Sequence, residues 1–431
     1  MGARSVAVLR ESRQEEQQPV GQSQGKGRGR TVALCALVLL VFAVSLITVS
    51  KGKLNFDVYR VDLNVYRLGG RAWLDNKDLY GQLPLTRNGL NLGFTYPPIS
   101  AIVMSPLAMV PARVAGILIT AITLGLLLSV IALFLRTAGI AAAGRSWRLA
   151  ALLLPVAALF EPLRTNLAYG QINVILMALV AFDCLSPATW WRAAGKPVGW
   201  PRGALVGLAA ALKLTPAIFV LYFVARRQWR AAITSIASFF VVTGLGVLCA
   251  PQDSHEYWTK MVFDTGRIGP LVFAGNQSLN GFLYRTHLTG NAEHDVWLVV
   301  ATMVGIVGVV AVFRAARANR QLLALSLTAC TTLLLSPVSW SHHWVWAAPI
   351  VLTGLLAAYR ARNRAALALF GGGLILFLSS PQWWFPGTEN REMHWAWWEQ
   401  AIGSAYVWAA LGALIAVAVG YAPSLLPADP Q

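Results

Sequence analysis

The chain contains twelve apolar runs separated by short basic loops, and this alternation limits the folds that it can adopt. Hydrophobic residues make up 56% of its 431 residues and charged residues only 12%, whereas a soluble domain carries about 25% charged residues. So much apolar surface must be surrounded by lipid. We therefore predict an all-α polytopic membrane protein with about 12 transmembrane helices, formed by 31–50 and by the runs near 113–135, 149–160, 172–186, 203–213, 215–225, 231–250, 296–313, 321–336, 343–358, 365–379 and 402–421.

The basic residues predict which loops face the cytoplasm. With a cytoplasmic amino terminus, every inner segment carries about three Lys or Arg residues close to a helix end, for example Arg136, Arg145 and Arg148. This is the positive-inside pattern, so we expect a multi-pass protein of the plasma (inner) membrane with both termini in the cytoplasm. The net charge of +17 is spread over these loops, which favours attraction to membrane lipids over nucleic-acid binding.

Composition also divides the chain into segments. Residues 1–30 have almost no apolar content and predict a disordered cytoplasmic tail. Residues 31–421 form the polytopic transmembrane domain, and 422–431 form a second cytoplasmic tail. Segment 98–110 is apolar but only about 13 residues long, and as a full span it would invert every later loop, so we interpret it as re-entrant or interfacial.

The outer, periplasmic face carries most of the polar chemistry. It holds three long loops, 51–96, 251–295 and 380–401, together with most of the acidic residues and all six histidines. Polar groups at a membrane face are costly unless they are hydrated, paired or functional. We therefore expect the functional site on this face.

Two carboxylates, Asp57 and Asp62, follow the first apolar run. One interpretation is a pair of hydrated loop carboxylates balanced by Arg60 and Arg67. For Asp62 a functional role is favoured, and the sequence leaves open which aspartate would act as a base. Neighbouring side chains that suit sugar binding are Asn64, Tyr66 and Tyr96.

Two more polar stretches predict ligand contacts. Segment 161–173 is rich in amides that suit hydroxyl groups and contains Arg164, which suits a phosphate, although helix capping is an alternative. Segment 275–281 is turn-rich and could equally be a simple loop. The amide candidates are Asn166, Gln171, Asn173, Asn276, Gln277 and Asn280.

Three basic or titratable side chains complete the candidates. Lys213 lies between two short apolar runs and either reaches the interface or points into a cavity at an anionic group. His342 and His343 begin a helix, but adjacent helical positions point in different directions and no Cys or Glu completes a metal set. We expect neither a metal nor a cofactor there, and favour contact with a phosphate or a sugar.

Five motifs in order across most of the chain resemble those of a known family. It comprises the actinobacterial polyprenol-phosphate-mannose-dependent α-(1→2)-mannosyltransferases, integral membrane enzymes of the GT-C type in glycosyltransferase family 87. The motifs lie at Val61–Gly70, Phe94–Pro98, Tyr169–Asn173, Gly275–Ser278 and Trp340–Trp344.

The resemblance implies a GT-C-like fold with large periplasmic loops and an inverting transfer at the periplasmic face. The donor would be polyprenyl-phosphate-mannose and the acceptor a lipid-anchored glycan. Asp62 matches the family's aspartate and would deprotonate the acceptor hydroxyl. Groups expected to stabilise the leaving phosphate are, in falling order, His342, His343, Lys213 and Arg164.

The acceptor is open between two branches of the family. The stretches Tyr66–Leu74 and Gly89–Leu92 resemble the branch that adds α-(1→2)-mannose to the mannan core of lipomannan and lipoarabinomannan. The alternative branch extends phosphatidylinositol mannosides. A polytopic transporter or lipid flippase is the rival class, and the scarcity of charges inside the apolar runs argues against it.

Overall fold

The computed structural model describes residues 21–45, 48–50, 53–55, 59–186, 191–193, 196–198, 200–264, 266–288, 290–387 and 389–421. Asp57, most of the predicted amino-terminal tail and the predicted tail at 422–431 lie outside these residues. The described part is predominantly helical, as the composition predicts.

The first half of the described chain contains ten α-helices and two short hairpins. The helices are α1 (Gly21–Ser45), α2 (Val61–Leu74), α3 (Pro98–Met109), α4 (Ala112–Thr137), α5 (Ala143–Leu159), α6 (Glu161–Tyr169), α7 (Asn173–Leu185), α8 (Ala204–Leu212), α9 (Val220–Ala225) and α10 (Trp229–Cys249). Strand β1 (Thr48–Ser50) pairs antiparallel with β2 (Lys53–Asn55), and β3 (Trp191–Ala193) with β4 (Lys196–Val198).

The second half of the described chain adds eight α-helices: α11 (Pro251–Glu256), α12 (Leu279–Arg285), α13 (Gly290–Arg317), α14 (Gln321–Leu335), α15 (Ala347–Arg360), α16 (Arg364–Ser379), α17 (Trp397–Gly403) and α18 (Ala405–Ala418). Short 3-10 segments occur at Thr215–Phe219, Gly266–Ile268, Ser341–Trp346, Pro381–Trp383 and Arg391–His394, and a π-helical turn at Tyr257–Met261.

Each predicted apolar run contains helix, but many of these helices are short. Four are long and apolar enough to cross a membrane, or up to six if each bent pair is one span. At 1.5 Å per residue, nine-residue α8 is only about 14 Å long, against a hydrocarbon core of about 30 Å. By this criterion the structure does not reach the predicted count of twelve. The 12-residue α3 is likewise too short to cross alone.

Two of the helix pairs are sharply bent. Helices α5 and α6 meet at 80°, and α17 and α18 meet at 69°. Pro162 stands in the first turn of α6, where its missing N–H is tolerated and its fixed φ favours a new helix start. The bend therefore places Glu161 and the rest of α6 across the end of α5 rather than in line with it.

The long loop predicted at 51–96 contains a helix of its own, α2, which packs along α3. This close packing depends on small residues, since a Cβ at Gly70 would lie 2.9 Å from the Cα of Ser105. Asp62 lies in the first turn of α2 and Tyr66 one turn later, so both side chains project from the same face. That face meets the turn between α6 and α7.

Candidate active site

A cavity of about 810 Å³ opens between α2, the α6–α7 turn and the loops that follow α8, α11, α14 and α16. Side chains that line it and carry polar or aromatic groups are Asp62, Tyr66, Thr95, Tyr96, Thr165, Tyr169, Gln171, Lys213, Thr215, Tyr257, Arg267, Phe273, Ser336, Trp340, Ser341, His342, His343 and Trp383. Concave sites with a few convergent polar groups are the usual form of a ligand site. This cavity is therefore the candidate active site.

Asp62 is held by an amide on one side of the cavity. Its Oδ2 accepts a hydrogen bond of 2.7 Å from Nε2 of Gln171. The Oε1 of Gln171 in turn accepts from the hydroxyl of Tyr66 at 2.7 Å and from that of Tyr96 at 3.4 Å, and the two hydroxyls lie 3.0 Å apart. Among the described residues, Oδ1 of Asp62 has no hydrogen-bond partner, so it is free to accept from a ligand.

Gly170 brings Gln171 to Asp62. It ends α6 in the left-handed region (φ 70°), where glycine has no Cβ penalty. A Cβ at this position would lie 2.8 Å from the Cβ of Arg60 and 2.9 Å from that of Leu63. The turn therefore approaches the start of α2 more closely than any other residue would allow.

Burial controls the acidity of this group. It raises the pKa of Asp62 to about 6, partly opposed by the hydrogen bond from Gln171 and by the positive charge of Lys213. Burial likewise raises the pKa values of Tyr66 and Tyr96 above their usual range. Neutral pH thus lies only slightly above the pKa of Asp62, so the aspartate is ionised, and both phenols are neutral.

Lys213 carries a positive charge on another side of the cavity. It follows the end of α8, and its Nζ donates to Oδ1 of Asn173 at 3.0 Å and to Nε2 of His343 at 3.2 Å. The same Nζ lies 5.4 Å from the ring centre of Tyr96, within cation–π range. Burial lowers its pKa to about 8, and the negative charge of Asp62 opposes that shift.

The two histidines stand beside Lys213 in a neutral state. Burial and the charge of Lys213 lower the pKa of His342 to about 3 and that of His343 well below its usual range. Nε2 of His342 is buried and has no partner among the described residues. His342 itself contributes to the cavity lining.

Asn166 and Asn173 support this arrangement from behind. Nδ2 of Asn173 donates to the carbonyl of His342 at 3.0 Å and to Oδ1 of Asn166 at 3.2 Å, while Nδ2 of Asn166 donates to the carbonyl of Gln171 at 3.1 Å. The pair therefore links the segment that carries Gln171 to the segment that carries the histidines.

Besides Asn166 and Asn173, three more of the predicted amide ligands do not line the cavity. Asn276, Gln277 and Asn280 are buried. Oδ1 of Asn276 accepts from the backbone N–H of Ser339 at 3.0 Å, and Nε2 of Gln277 donates to the carbonyls of Ala274 and Gly403. Asn276 and Gln277 therefore connect segment 275–281 to the backbone at Ser339 and Gly403. The turn-rich sequence of this segment belongs to a structural junction between distant parts of the chain.

Two other candidates also lie away from the cavity lining. Asn64 faces away on α2, and Arg164 is exposed on α6. Side chains on one face of a helix recur every three to four residues, and Arg164 lies off the buried face of α6, whereas Gln171 lies in the turn beyond the helix. Asp57 belongs to the residues that are not described.

Sequence reasoning missed several lining residues. Arg267 is a second cation in the wall, and its guanidinium donates to the carbonyls of Met261, Phe94 and Thr95 at 2.9 to 3.2 Å. Trp383 is, from sequence alone, only one of many aromatics near the outer interface. Neither residue belongs to a recognisable motif, and only the folding of distant loops brings them to the cavity.

A narrow apolar cleft continues from the cavity. It shares Lys213, Thr215, Ser336 and His343 with the large cavity and is otherwise lined mainly by apolar side chains from α7, α14 and the 3-10 segments, including Leu176, Met177, Val180, Phe219, Leu333 and Trp346. Lys213, Thr215, Ser336 and His343 therefore lie where the cavity meets the cleft. In the described residues, no cluster of three His, Cys, Asp or Glu side chains has the arrangement of a metal site.

Comparison with known proteins gives a family and several relatives. The model of glycosyltransferase family 87 matches residues 94–337. The polyprenol-phosphate-mannose-dependent alpha-(1-2)-phosphatidylinositol mannoside mannosyltransferase of Mycobacterium tuberculosis strain H37Rv is 39% identical over 415 residues, covering 94% of both chains. A relative named as the corresponding phosphatidylinositol pentamannoside mannosyltransferase, from strain CDC 1551, is 33% identical over 360 residues, covering 82% of this chain and 80% of that protein.

One solved structure is also similar. The crystal structure of ArnT from Cupriavidus metallidurans bound to undecaprenyl phosphate covers 91% of this chain and 78% of its own, with a TM-score of 0.43 and 15% identity. This likeness is too low to assign a substrate.

The Gly170 turn gives a stability prediction. Gly170→Ala is expected to lower the melting temperature in detergent, because the left-handed backbone costs about 1–2 kcal/mol and the contact with Arg60 adds about 1–3 kcal/mol of overpacking. Gly89→Ala is the matched control, since Gly89 also has a positive φ (76°) but a Cβ placed on it would meet nothing within 4 Å. Equal losses in the two variants would contradict the close approach.

Proposed function

The chain belongs to glycosyltransferase family 87, and we propose on this basis that it is a polyprenol-phosphate-mannose-dependent α-(1→2)-mannosyltransferase with an acceptor built on phosphatidylinositol mannoside. The observation that carries the proposal is the 39% identity to a relative of that name along nearly the whole chain. The ionisable groups around one cavity supply the chemistry that such a transfer needs. Family membership also favours glycosyl transfer over the transporter alternative.

The proposed reaction is a direct displacement at the anomeric carbon. The acceptor oxygen forms a bond to that carbon as the bond from carbon to the donor phosphate oxygen breaks. The acceptor's proton passes to a base, and the leaving group departs as polyprenyl phosphate. Inversion of a β-linked donor yields the α-mannoside.

Asp62 is the proposed base. It is ionised at neutral pH, its Oδ1 is free among the described residues, and a pKa of about 6 lies near the working pH of a general base. The amide of Gln171 holds its other oxygen at 2.7 Å and so orients the carboxylate.

Lys213 is the proposed main stabiliser of the leaving phosphate. Charge develops on that phosphate as the bond breaks, and a cation in a partly buried site stabilises it more strongly than one in water. His342 and His343 are neutral, so they would contribute N–H donors rather than charge. The apolar cleft beyond Lys213 would take the first part of the polyprenyl chain.

The relatives are named for phosphatidylinositol mannosides, and the finer choice of acceptor rests on the resemblance of Tyr66–Leu74 and Gly89–Leu92 to the branch that acts on the mannan core. The chain is 39% identical to the relative named for phosphatidylinositol mannoside and 33% identical to the one named for the pentamannoside. We favour the mannan core of lipomannan and lipoarabinomannan, which is anchored on such a mannoside, with the pentamannoside as the alternative. The site would face the periplasm in a plasma-membrane protein whose termini are cytoplasmic, as the loop charges predict.

Mannosyl transfer by purified protein tests the activity and the base together. With synthetic polyprenyl-phosphate-mannose and a linear α-(1→6)-mannan oligosaccharide or phosphatidylinositol pentamannoside, the wild type is expected to form an α-(1→2) product. Asp62→Asn is expected to lower kcat by about 10²- to 10⁴-fold, because the amide cannot accept the proton.

Asp75→Asn is the matched control. Asp75 lies at the carboxyl end of α2, the helix that begins with Asp62 in its first turn, and it pairs with exposed Arg71. It should transfer at close to the wild-type rate. Transfer to the pentamannoside alone would assign the protein to the alternative acceptor. A folded wild type that transfers to neither acceptor would refute the proposed activity.

The two shifted pKa values predict a bell-shaped pH profile. The value of kcat/KM is expected to fall below about pH 6, where Asp62 is protonated, and above about pH 8, where Lys213 loses its charge. The guanidinium of Lys213→Arg stays protonated, so this variant should move the basic limb upward and leave the acidic limb in place. Lys77→Arg, at an exposed lysine of the same outer segment, should change neither limb. A basic limb that does not move in Lys213→Arg would exclude Lys213 as its origin.

A further inference from the structure

Glu161 is a buried carboxylate directly behind the cavity wall. It is only 1% exposed and begins α6 at the 80° bend. Its two oxygens accept five hydrogen bonds. Oε1 accepts from Thr165 Oγ1 (2.8 Å), Ser341 Oγ (2.8 Å) and Trp383 Nε1 (3.2 Å), and Oε2 accepts from Gln382 Nε2 (3.3 Å) and the Tyr406 hydroxyl (3.2 Å).

Three of these five donors line the cavity, although Glu161 itself does not. Thr165 belongs to α6, Ser341 to the segment before α15, and Trp383 to the segment after α16. These elements are far apart in sequence. One carboxylate therefore joins three separate parts of the wall.

The donors compensate for a buried charge that lacks a cation. Among the described residues, no Lys or Arg forms an ion pair with Glu161, and a buried carboxylate is costly unless hydrogen bonds replace its water. Indole and amide N–H groups only donate, and one of them reaches each oxygen. The set matches an ionised carboxylate that is acceptor-only on both oxygens.

The segment from Ser341 to His343 is held on several sides. Ser341 donates its backbone N–H to the carbonyl of Gly275 at 2.7 Å and its side chain to Glu161, and the carbonyl of His342 accepts from Asn173. His343 then accepts from Lys213. Loss of the Glu161 contact would release one of these constraints directly beside the histidines.

We propose that Glu161 is a positioning residue that sets the place of the Ser341–His343 segment and of Trp383 in the cavity wall. This inference rests on the proposed function, since the groups that it positions are those assigned to the donor phosphate. A displacement of about 1 Å in a reacting arrangement costs on the order of 100-fold in rate. Glu161 thus acts on catalysis without touching the substrate.

Glu161→Ala tests the proposal in the same mannosyl-transfer assay, normalised to the monodisperse folded fraction. We expect kcat/KM to fall about 100-fold, mainly through kcat, while the acidic limb near pH 6 stays in place because Asp62 is not affected. Glu392→Ala is the matched control. Glu392 is also 1% exposed, but its donor among the described residues, the backbone N–H of Ala274, does not line the cavity. It should lower thermal stability yet change kcat/KM by less than about 3-fold.

A double-mutant cycle separates positioning from general stability. If Glu161 acts through Ser341, then Glu161→Ala and Ser341→Ala should be strongly non-additive in kcat/KM, whereas Glu161→Ala and Glu392→Ala should be additive. Full additivity of the first pair, or a folded Glu161→Ala variant with wild-type kcat/KM, would overturn the proposal. An inactive wild type would instead refute the proposed function.

Glu161→Gln provides a second variant if Glu161→Ala does not fold. One amide oxygen can keep the bonds from Thr165, Ser341 and Trp383, and the new NH₂ can donate to Gln382, whose Oε1 has no partner among the described residues. This variant should fold, and its loss of kcat/KM should be smaller than that predicted for Glu161→Ala. Its effect on kcat/KM should still be non-additive with that of Ser341→Ala. Additive effects here would equally overturn the role of Glu161.

Discussion

Two opposite charges in one partly buried cavity, Asp62 and Lys213, determine how the rest of the site is built. Burial alone would drive both groups to their neutral forms, raising the pKa of the acid and lowering that of the amine. Their mutual attraction and the neutral amides of Gln171 and Asn173 oppose this tendency. Both groups therefore stay ionised at neutral pH, with a pKa of about 6 for Asp62 and about 8 for Lys213. The proposed base can then accept a proton while the cation keeps its charge.

Much of this arrangement is predictable from the sequence. The apolar runs contain the helices, and the sequence alone identifies Asp62, Gln171, Lys213, His342 and His343, which lie around one cavity. They are predictable because a polar side chain at the edge of an apolar run has a high desolvation cost, which marks it as paired or functional. The family resemblance is confirmed by the family match and by relatives that cover most of the chain.

Other parts are not predictable, for physical reasons. Asn276 and Gln277 carry the same amide chemistry as Gln171, but their partners are backbone groups of distant segments, and sequence does not show which amides meet backbone. Glu161 is, in the sequence, only one member of a polar stretch, because most of its donors come from distant segments. The count of twelve spans assumes that each apolar run crosses alone, whereas sharp bends divide some of the helices into shorter pieces.

Tyr96 connects the two halves of the proposed mechanism. Inverting displacement needs the base and the leaving-group cation on opposite sides of the anomeric carbon, so the carbon must lie between the Asp62 side and the Lys213 side. The hydroxyl of Tyr96 reaches the Gln171 amide that orients Asp62, while its ring lies 5.4 Å from Nζ of Lys213. Tyr96 is almost fully buried and neutral, so it contacts the Gln171 amide and Lys213 without adding a charge. Its hydroxyl and its ring therefore link the side of the cavity that carries the proposed base to the side that carries the proposed cation.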